Sequence, residues 1–442
     1  MEISLIGFAI ILFLSFVGIP LAYATLAVGF FGFWYVRGDI NGAIVLSGQE
    51  IFDFSTLFGL SVVPLFILMG SLIQRANISD ELYEAGYAWV GKYKGGLAMA
   101  TVLSCAGFSA VSGSSLATAA TMARVAMPPM RKYKYKDSLA SGTLAAGGTL
   151  GIMIPPSVPM IIYGIVTETN IGNMFIAGIV PGILLTLSYL GAVYLSVLWK
   201  PELGPPGDPV SRQEKLRTLY KTWPIIVLFA LVLGGIYLGV FTPTEAGAVG
   251  CVGAFAFALS RGRMWRLSEI IEVAADAVVV TARIFIIGGA ALIFGQFLNF
   301  AGLSAELVDF TDSFNLSPLT LPLMICMICV VLGMIFESIG ILLLIVPVFL
   351  PSLEAVAELS GMPPDLYLVW FGIIVIIVVE LGLITPPIGI NVFTVKSVIP
   401  NLDLTKIFVG VLPFVAADLV VLALVFLIPG IAIWLPSIAP GL

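Results

Sequence analysis

Hydroxyl-bearing and small residues are concentrated in one short run, from Ser109 to Thr118, in the middle of a long apolar segment at 95–128. Small residues allow a chain to turn tightly, and hydroxyl oxygens together with freed backbone carbonyls are ligands for a hard cation. The alternative is a helix-packing seam of small residues, which is common among membrane helices. The run therefore predicts either a cation-binding turn or a close helix contact.

A second candidate, Glu337-Ser338-Ile339-Gly340, lies in the middle of another apolar segment, at 318–351. A carboxylate within a hydrophobic segment is energetically unfavourable, and such residues usually have a function. Glu337 could neutralise the charge of a bound cation, or it could accept hydrogen bonds from backbone amides. The sequence leaves both roles open.

Two further apolar segments are interrupted by a glycine and a Pro-Pro pair, once between Gly151 and Pro156 and again between Gly382 and Pro387. Proline removes a helical amide and disfavours helical geometry in the residue before it, so neither segment stays α-helical. One such break alone is explained by a proline kink, whereas two related breaks favour backbone that lines a cavity or binds an ion. The carbonyls expected to lose their intrahelical donors are those of Gly151, Ile154, Gly382 and Thr385.

The composition indicates that these segments belong to a membrane protein. Apolar residues make up 60 % of the 442 residues and charged residues 10 %, against about 45–50 % and 25 % in soluble domains. Uninterrupted apolar runs predict helices, and at about 20 residues a span the length allows roughly ten to fourteen crossings. A net charge of −6 and the absence of histidine argue against nucleic-acid binding and exclude histidine-based proton relay, general-base or metal chemistry. The lone CxxC at Cys326 and Cys329 is interpreted as two buried residues one turn apart.

The chain repeats itself on either side of a polar stretch at 200–222. Leu150-Gly151 with Pro155-Pro156 recurs 231 residues later as Leu381-Gly382 with Pro386-Pro387. Three more matches occur in the same order, including Gly107 and Ser112 as Gly333 and Ser338, an offset of 226. Four ordered matches favour an internal duplication.

Charge placement predicts that the two copies are inverted. Segments 75–94 and 129–137 carry seven lysines and arginines, whereas the equivalent 300–316 and 352–365 carry none and are acidic. Because basic loops remain cytoplasmic, the copies face opposite sides of the membrane, as in many secondary transporters.

These observations predict an all-α polytopic protein of roughly ten or eleven spans, with two re-entrant helical hairpins and two discontinuous helices. The predicted parts are a first repeat at 1–199 with a hairpin at about 95–130 and a broken helix at about 138–166, a cytoplasmic linker at 200–222, and a second repeat at 223–442 with a hairpin at about 318–351 and a broken helix at about 366–400.

Several motifs resemble one family over essentially the whole chain. They are Ser112-Gly-Ser-Ser, Gly151-Ile-Met-Ile-Pro-Pro-Ser, Thr242-Pro-Thr-Glu-Ala-Gly, and Leu381-Gly-Leu-Ile-Thr-Pro-Pro-Ile-Gly-Ile-Asn391. The sequence is similar to the DctM-type large membrane subunit of tripartite ATP-independent periplasmic (TRAP) transporters. The resemblance implies sodium-coupled uptake of an organic anion, such as a C4-dicarboxylate or sialic acid, by an elevator-type movement in the bacterial inner membrane. It also implies two protein partners, a small four-helix membrane subunit and a periplasmic solute-binding protein.

The resemblance also implies roles for individual residues. Sodium would bind between each hairpin tip and the facing break, and the solute would lie between the two tips. The implied sodium ligands are Ser109, Ser112, Gly151, Ile154 and Pro156 at the first site, and Glu337, Ser338, Gly340, Gly382, Thr385 and Ile388 at the second. The implied solute-binding residues are Gly113, Ser114, Ser115, Pro387 and Asn391.

Other functions are disfavoured by what the sequence lacks. It has no nucleotide-binding motif, no nucleophile–base or metal set for an intramembrane enzyme, and no feature that calls for an organic cofactor. The alternative that stays open is a stand-alone sodium/dicarboxylate symporter of related fold. Arg283, Lys396 and Asp418 lie in or near spans without an assigned role.

Overall fold

The protein is described by a computed structural model that covers residues 2–314 and 316–439. Residues 1, 315 and 440–442, which fall within the two predicted repeats, lie outside the described residues. The described residues form 21 α-helices and no β-strand, which confirms the all-α prediction.

The part of the chain before the polar stretch contains ten of these helices. Short 3₁₀-helices at Phe58–Ser61 and Pro201–Leu203 precede α4 and follow α10. The ten are α1 (Glu2–Phe16), α2 (Leu21–Arg37), α3 (Ile40–Thr56), α4 (Val62–Arg75), α5 (Ile78–Val90), α6 (Gly96–Ser112), α7 (Ser115–Lys132), α8 (Asp137–Met153), α9 (Val158–Val166) and α10 (Ile171–Trp199).

The remaining helices include a short polar helix, α11, in the predicted linker. They are α11 (Arg212–Lys221), α12 (Trp223–Tyr237), α13 (Pro243–Ser260), α14 (Leu267–Phe300), α15 (Leu303–Ser313), α16 (Thr320–Gly333), α17 (Ser338–Glu358), α18 (Pro364–Ile384), α19 (Ile390–Val398), α20 (Leu404–Leu427) and α21 (Gly430–Ile438).

The Ser/Gly run forms the turn of a helical hairpin between α6 and α7. Gly113 has a φ of +59°, a left-handed conformation that glycine adopts without a steric penalty. Ser114 then caps α7, because its hydroxyl oxygen accepts the Ala117 N–H at 3.4 Å. The sequence run is therefore a tight turn, and α6 and α7 pack against each other behind it.

The second hairpin has a longer turn, of residues 334–337, between α16 and α17. Ser338 is the first residue of α17, whereas Ser112 is the last residue of α6. The predicted equivalence of these two serines is therefore wrong, because they lie on opposite sides of their turns. By position in the hairpin, Ser338 corresponds to Ser115.

Both predicted helix breaks are present. The chain leaves α8 at Met153 and enters α9 at Val158, with a bend of 42° between the two axes, and it is interrupted again between α18 and α19. The Pro155–Pro156 and Pro386–Pro387 peptide bonds are both cis. At the first break the Ser157 hydroxyl donates to the Ile152 carbonyl at 2.6 Å, which satisfies a carbonyl at the end of α8.

Helices of the two halves pack against each other in matching pairs. The second arm of the first hairpin, α7, contacts α19, and the second arm of the second hairpin, α17, contacts α9. Two further pairs also join the halves: α2 of the first half packs on α14 of the second, and α4 of the first half packs on α13 of the second. The broken helices α8 and α18 meet at the centre, where every residue of α18 from Tyr367 to Ile384 is buried.

The number of independent spans differs from the sequence prediction. Within the described residues, six helices are long and apolar enough to cross a membrane, or up to eight if each of two bent pairs counts as one span. This count is lower than the predicted ten or eleven, and it leaves out shorter apolar helices such as the hairpin arms α6, of 17 residues, and α16, of 14 residues. Such arms are shorter than the roughly 20 residues that a span needs.

The polar linker is fastened to the base of the first hairpin. Gly95 N–H donates to the Gly204 carbonyl, and Gly207 N–H donates to the Gly91 carbonyl, both at 2.8 Å. The Tyr133 hydroxyl donates to the Asp208 carboxylate at 2.5 Å, and this hydrogen bond raises the pKa of Tyr133. Along this part of its length, the linker is therefore held against the first hairpin by hydrogen bonds.

The predicted inversion of the two repeats leads to a testable topology. We expect a single cysteine at Lys134 to react only from the cytoplasmic side and one at Glu306 only from the outside, because positive charge stays inside. The measurement is labelling with a membrane-impermeant thiol reagent after replacement of the four native cysteines, all of which are buried. Labelling of both positions from the same side would contradict an inverted duplication.

Candidate functional site

The first hairpin tip is joined to the first helix break through backbone atoms. The Val158 N–H, at the start of α9, donates to the Gly113 carbonyl at 3.4 Å. Gly151, at the end of α8, faces the same turn so closely that a Cβ atom on it would lie 2.5 Å from the Ser114 carbonyl oxygen. Only glycine permits this approach, so the sequence dictates that tip and break pack backbone to backbone.

Hydroxyl groups surround this contact. The oxygens of Ser112 and Thr118 lie 2.8 Å apart. One turn earlier in α6, the buried Ser109 Oγ has no hydrogen-bond partner among the described residues. The first tip therefore combines an unused hydroxyl, a hydroxyl pair and the ends of two helices, which is a set of oxygen ligands suited to a hard cation.

The second tip and break repeat this arrangement. The Gly389 N–H donates to the Met334 carbonyl at 3.3 Å, and a Cβ on Gly382 would lie 2.6 Å from Gly333 Cα. The Thr385 hydroxyl donates to the Leu381 carbonyl at 2.6 Å, so the lone pairs of its oxygen remain for another ligand. The Gly382 carbonyl, expected to lose its donor, accepts the Thr385 N–H at 3.1 Å.

Both tips open onto one cavity of about 1390 Å³. Its walls come from α1, α2, α4 and α14 as well as from the two hairpins and both breaks. The predicted site residues that line it are Ser112, Gly113, Ser114, Ser115, Glu337, Ser338 and Ile388.

The cavity contains more arginine than the sequence prediction assigned to the site. Arg75 pairs with Glu272 across the cavity wall at 3.2 Å. Arg124 on α7 and Arg283 on α14 also line the cavity, and neither forms an ion pair within 4 Å in the part of the chain that the structure describes. Arg263 lines the cavity as well and likewise has no ion pair among the described residues. Arg283 is close enough to Glu337 for their charges to interact, so the cavity wall is rich in positive charge.

The other predicted site residues lie around the two tips, away from the cavity surface. Pro156 places its carbonyl against Gly113, while the Ile154 side chain packs on Gly182 of α10. Gly340 packs on Leu21 of α2, and Pro387 is exposed. Asn391 is fully buried and donates to the Ala145 carbonyl of α8 at 3.2 Å; it does not line the cavity, although its neighbour Ile390 does.

Sequence reasoning also left several polar residues without a role. Arg75 and Glu272 gave no signal in the sequence, because each lies at the polar end of a helix. Lys396 donates to the backbone carbonyl of Leu402. Asp418 accepts a hydrogen bond from Tyr189 at 2.7 Å, deep between helices.

Comparison with known proteins identifies the family. The family described as "Tripartite ATP-independent periplasmic transporter, DctM component" matches residues 8–431. The chain belongs to this family. It is therefore a transporter permease subunit and a multi-pass protein of the bacterial inner membrane.

Two relatives support this assignment, and one solved structure has a similar fold. The C4-dicarboxylate TRAP transporter large permease protein DctM of Pseudomonas aeruginosa is 33 % identical over 88 % of both chains. The ectoine TRAP transporter large permease protein TeaC of Halomonas elongata is 32 % identical over 95 % of both chains. The fold is similar to that of the YdaH transporter of Alcanivorax borkumensis, with a TM-score of 0.62 and 15 % identity over 89 % of this chain and 90 % of the other.

The close contact between each break and its tip predicts that a methyl group added there destabilises the protein more than one added to an open helix surface. We expect Gly382→Ala to destabilise the protein by about 1–3 kcal/mol, because the new Cβ overlaps backbone atoms of Gly333. Gly191→Ala in α10 is the matched control, because no atom lies within 4 Å of its Cβ position. Thermal unfolding of the purified protein in detergent measures both, and an equal effect of the two changes would contradict the tip–break contact.

Proposed function

We propose that this subunit carries out sodium-coupled uptake of an organic anion. The observation that supports the proposal most directly is that both hairpin tips line the same cavity while each tip is hydrogen-bonded to its own helix break. Ion sites and solute site are then neighbours, so that occupation of one changes the affinity of the other.

The two sodium sites lie in this proposal between each tip and its break. The first uses the hydroxyls of Ser109 and Ser112 with backbone oxygens of Gly151, Ile154 and Pro156. The second uses the turn around Glu337 and Ser338 with Thr385 and backbone oxygens of the second break, among them Gly382 and Ile388. Sites made mainly of neutral oxygens leave most of the ion's charge uncompensated, which favours an anion bound nearby.

The solute in this proposal is an anion that occupies the cavity between the tips. Arg124 and Arg283 line the cavity and provide positive charge, and the turn from Gly113 to Ser115 provides hydroxyl and amide groups. The carboxylic acid named for the Pseudomonas relative fits this arrangement. The Halomonas relative is named for a different solute, ectoine, so membership of the family does not by itself identify the solute of this subunit.

Transport also requires partners and a movement. A component of a tripartite system operates with other proteins, and we propose that these are a small membrane subunit and a periplasmic solute-binding protein that delivers the anion. The hairpins and broken helices, which contact each other across the two halves, would move together as the transport domain of an elevator.

Removal of single hydroxyls tests the sodium sites. We expect Ser112→Ala and Thr385→Ala each to raise the sodium concentration for half-maximal transport several-fold, because a lost ligand is worth on the order of 1 kcal/mol. The measurement is solute uptake against sodium concentration in proteoliposomes that contain the assembled complex and its binding protein. The solute is identified beforehand as the carboxylic acid that stabilises the binding protein.

A matched control separates ion binding from the general loss of a hydroxyl. Thr394→Ala removes a hydroxyl with the same hydrogen bond to the preceding turn, to Ile390 at 2.9 Å, from a helix face outside both tips. It should leave the sodium dependence unchanged. If the transport rate does not depend on sodium concentration and is instead driven by a proton gradient, the sodium assignment is refuted.

Dependence on partners distinguishes the tripartite transporter from a stand-alone symporter. We expect the purified chain alone to take up no solute in proteoliposomes, and addition of the small subunit and loaded binding protein to restore uptake. Uptake by the isolated chain, driven by sodium and indifferent to the binding protein, would instead support the stand-alone sodium/dicarboxylate symporter.

A further inference from the structure

Five buried polar side chains meet at the centre of the protein, away from the cavity between the hairpin tips. Each comes from a different helix, and each is 0 % exposed. None of them lines that cavity. The five, called here the central cluster, are Thr149 on α8, Tyr189 on α10, Glu380 on α18, Asn391 on α19 and Asp418 on α20.

Short contacts connect the cluster. The Tyr189 hydroxyl donates to Asp418 Oδ1 at 2.7 Å and lies 3.0 Å from Thr149 Oγ1. Glu380 lies beside both Thr149 and Asp418. The Asn391 amide donates to the Ala145 carbonyl, which in α8 is also the acceptor for the Thr149 N–H, so Asn391 adjoins the cluster.

The cluster has an excess of acceptors. Among the described residues, Asp418 Oδ2 and Asn391 Oδ1 are buried and have no hydrogen-bond donor, and neither oxygen of Glu380 meets a donor in hydrogen-bond geometry, although the Thr149 hydroxyl lies near it. Neither Glu380 nor Asp418 has an ion pair with a lysine or arginine in the described part of the chain. Buried polar atoms are almost always satisfied, and two carboxylates without a counter-charge are strongly unfavourable in a dry interior.

We propose that the central cluster binds a hard monovalent cation, sodium. All the candidate ligands are oxygens, from two carboxylates, an amide and two hydroxyls, which is the donor set that such cations prefer. A single proton would leave most of the four unsatisfied oxygens without a partner, whereas a cation contacts several oxygens at once. This site is separate from the two hairpin sites and does not depend on sodium being bound there.

The repeat in the sequence explains where this site lies. Glu380 and Thr149 are separated by the same 231 residues as the two Gly–Pro–Pro breaks. They occupy equivalent positions, two residues before Gly382 and Gly151, on the helices α18 and α8 that meet at the centre. The duplication has therefore placed a hydroxyl and a carboxylate face to face.

Counting bound ions tests the proposal. We expect the purified full-length protein, with choline replacing sodium as the background salt, to bind one more radioactive sodium ion per chain than its Glu380→Gln variant at saturation. Glu354→Gln is the matched control, because Glu354 is exposed on α17; this variant should bind as many ions as the unaltered protein. Ser112→Ala, at a hairpin tip, should retain the ion that Glu380→Gln loses, which separates this site from the proposed transport sites.

A milder variant keeps the test decisive if Glu380→Gln does not fold. Thr149→Val preserves side-chain shape and removes one candidate ligand, and it should weaken sodium affinity at this site about fivefold. The cation proposal is overturned if Glu380→Gln binds as many ions as the unaltered protein or if Thr149→Val leaves every sodium affinity unchanged. It is also overturned if thermal stability depends on pH through Glu380 while sodium has no effect, since the bound species is then a proton.

Discussion

A backbone amide or carbonyl within a membrane must find a partner inside the protein, because hydrocarbon offers none. Each helix break in this subunit creates such groups, and so does each hairpin tip. The structure pairs them: an amide where each break meets the following helix donates to a carbonyl in the facing tip, Val158 to Gly113 and Gly389 to Met334. Non-helical backbone at the centre of the protein exists only because the two irregular segments satisfy each other.

This pairing constrains what surrounds it. Gly151 and Gly382 must lack side chains because backbone atoms of the tips occupy the space. The second arm of each hairpin must lie against the other half, α7 on α19 and α17 on α9, since both tips point toward one cavity. We expect a shift of one tip to displace its own break and the broken helix of the other half, which is the mechanical connection that the proposed coupled transport would use.

The sequence predicted this framework well because its signals are local. Glycine next to paired prolines interrupts a helix wherever it occurs, and a Ser/Gly run within an apolar segment of about 34 residues turns back on itself. The residue-by-residue alignment of the two hairpin turns was not predicted correctly. Ser112 and Ser338 match in sequence, but Ser112 ends a helix and Ser338 begins one. Thr149 and Tyr189 gave no signal and Asp418 was left without a role, because the function of a single polar residue in an apolar helix depends on which helices pack around it.

The location of negative charge distinguishes the ion sites that we propose. At the first hairpin tip the candidate ligands are neutral, and at the second the charge of Glu337 is opposed by Arg283. An ion there is balanced chiefly by an anionic solute in the shared cavity, so it binds and leaves with that solute. An ion in the central cluster is balanced by Glu380 and Asp418 themselves, and five helices enclose it. Its affinity is then independent of the solute, so we expect it to hold the two halves together through the transport cycle while the ions at the tips exchange.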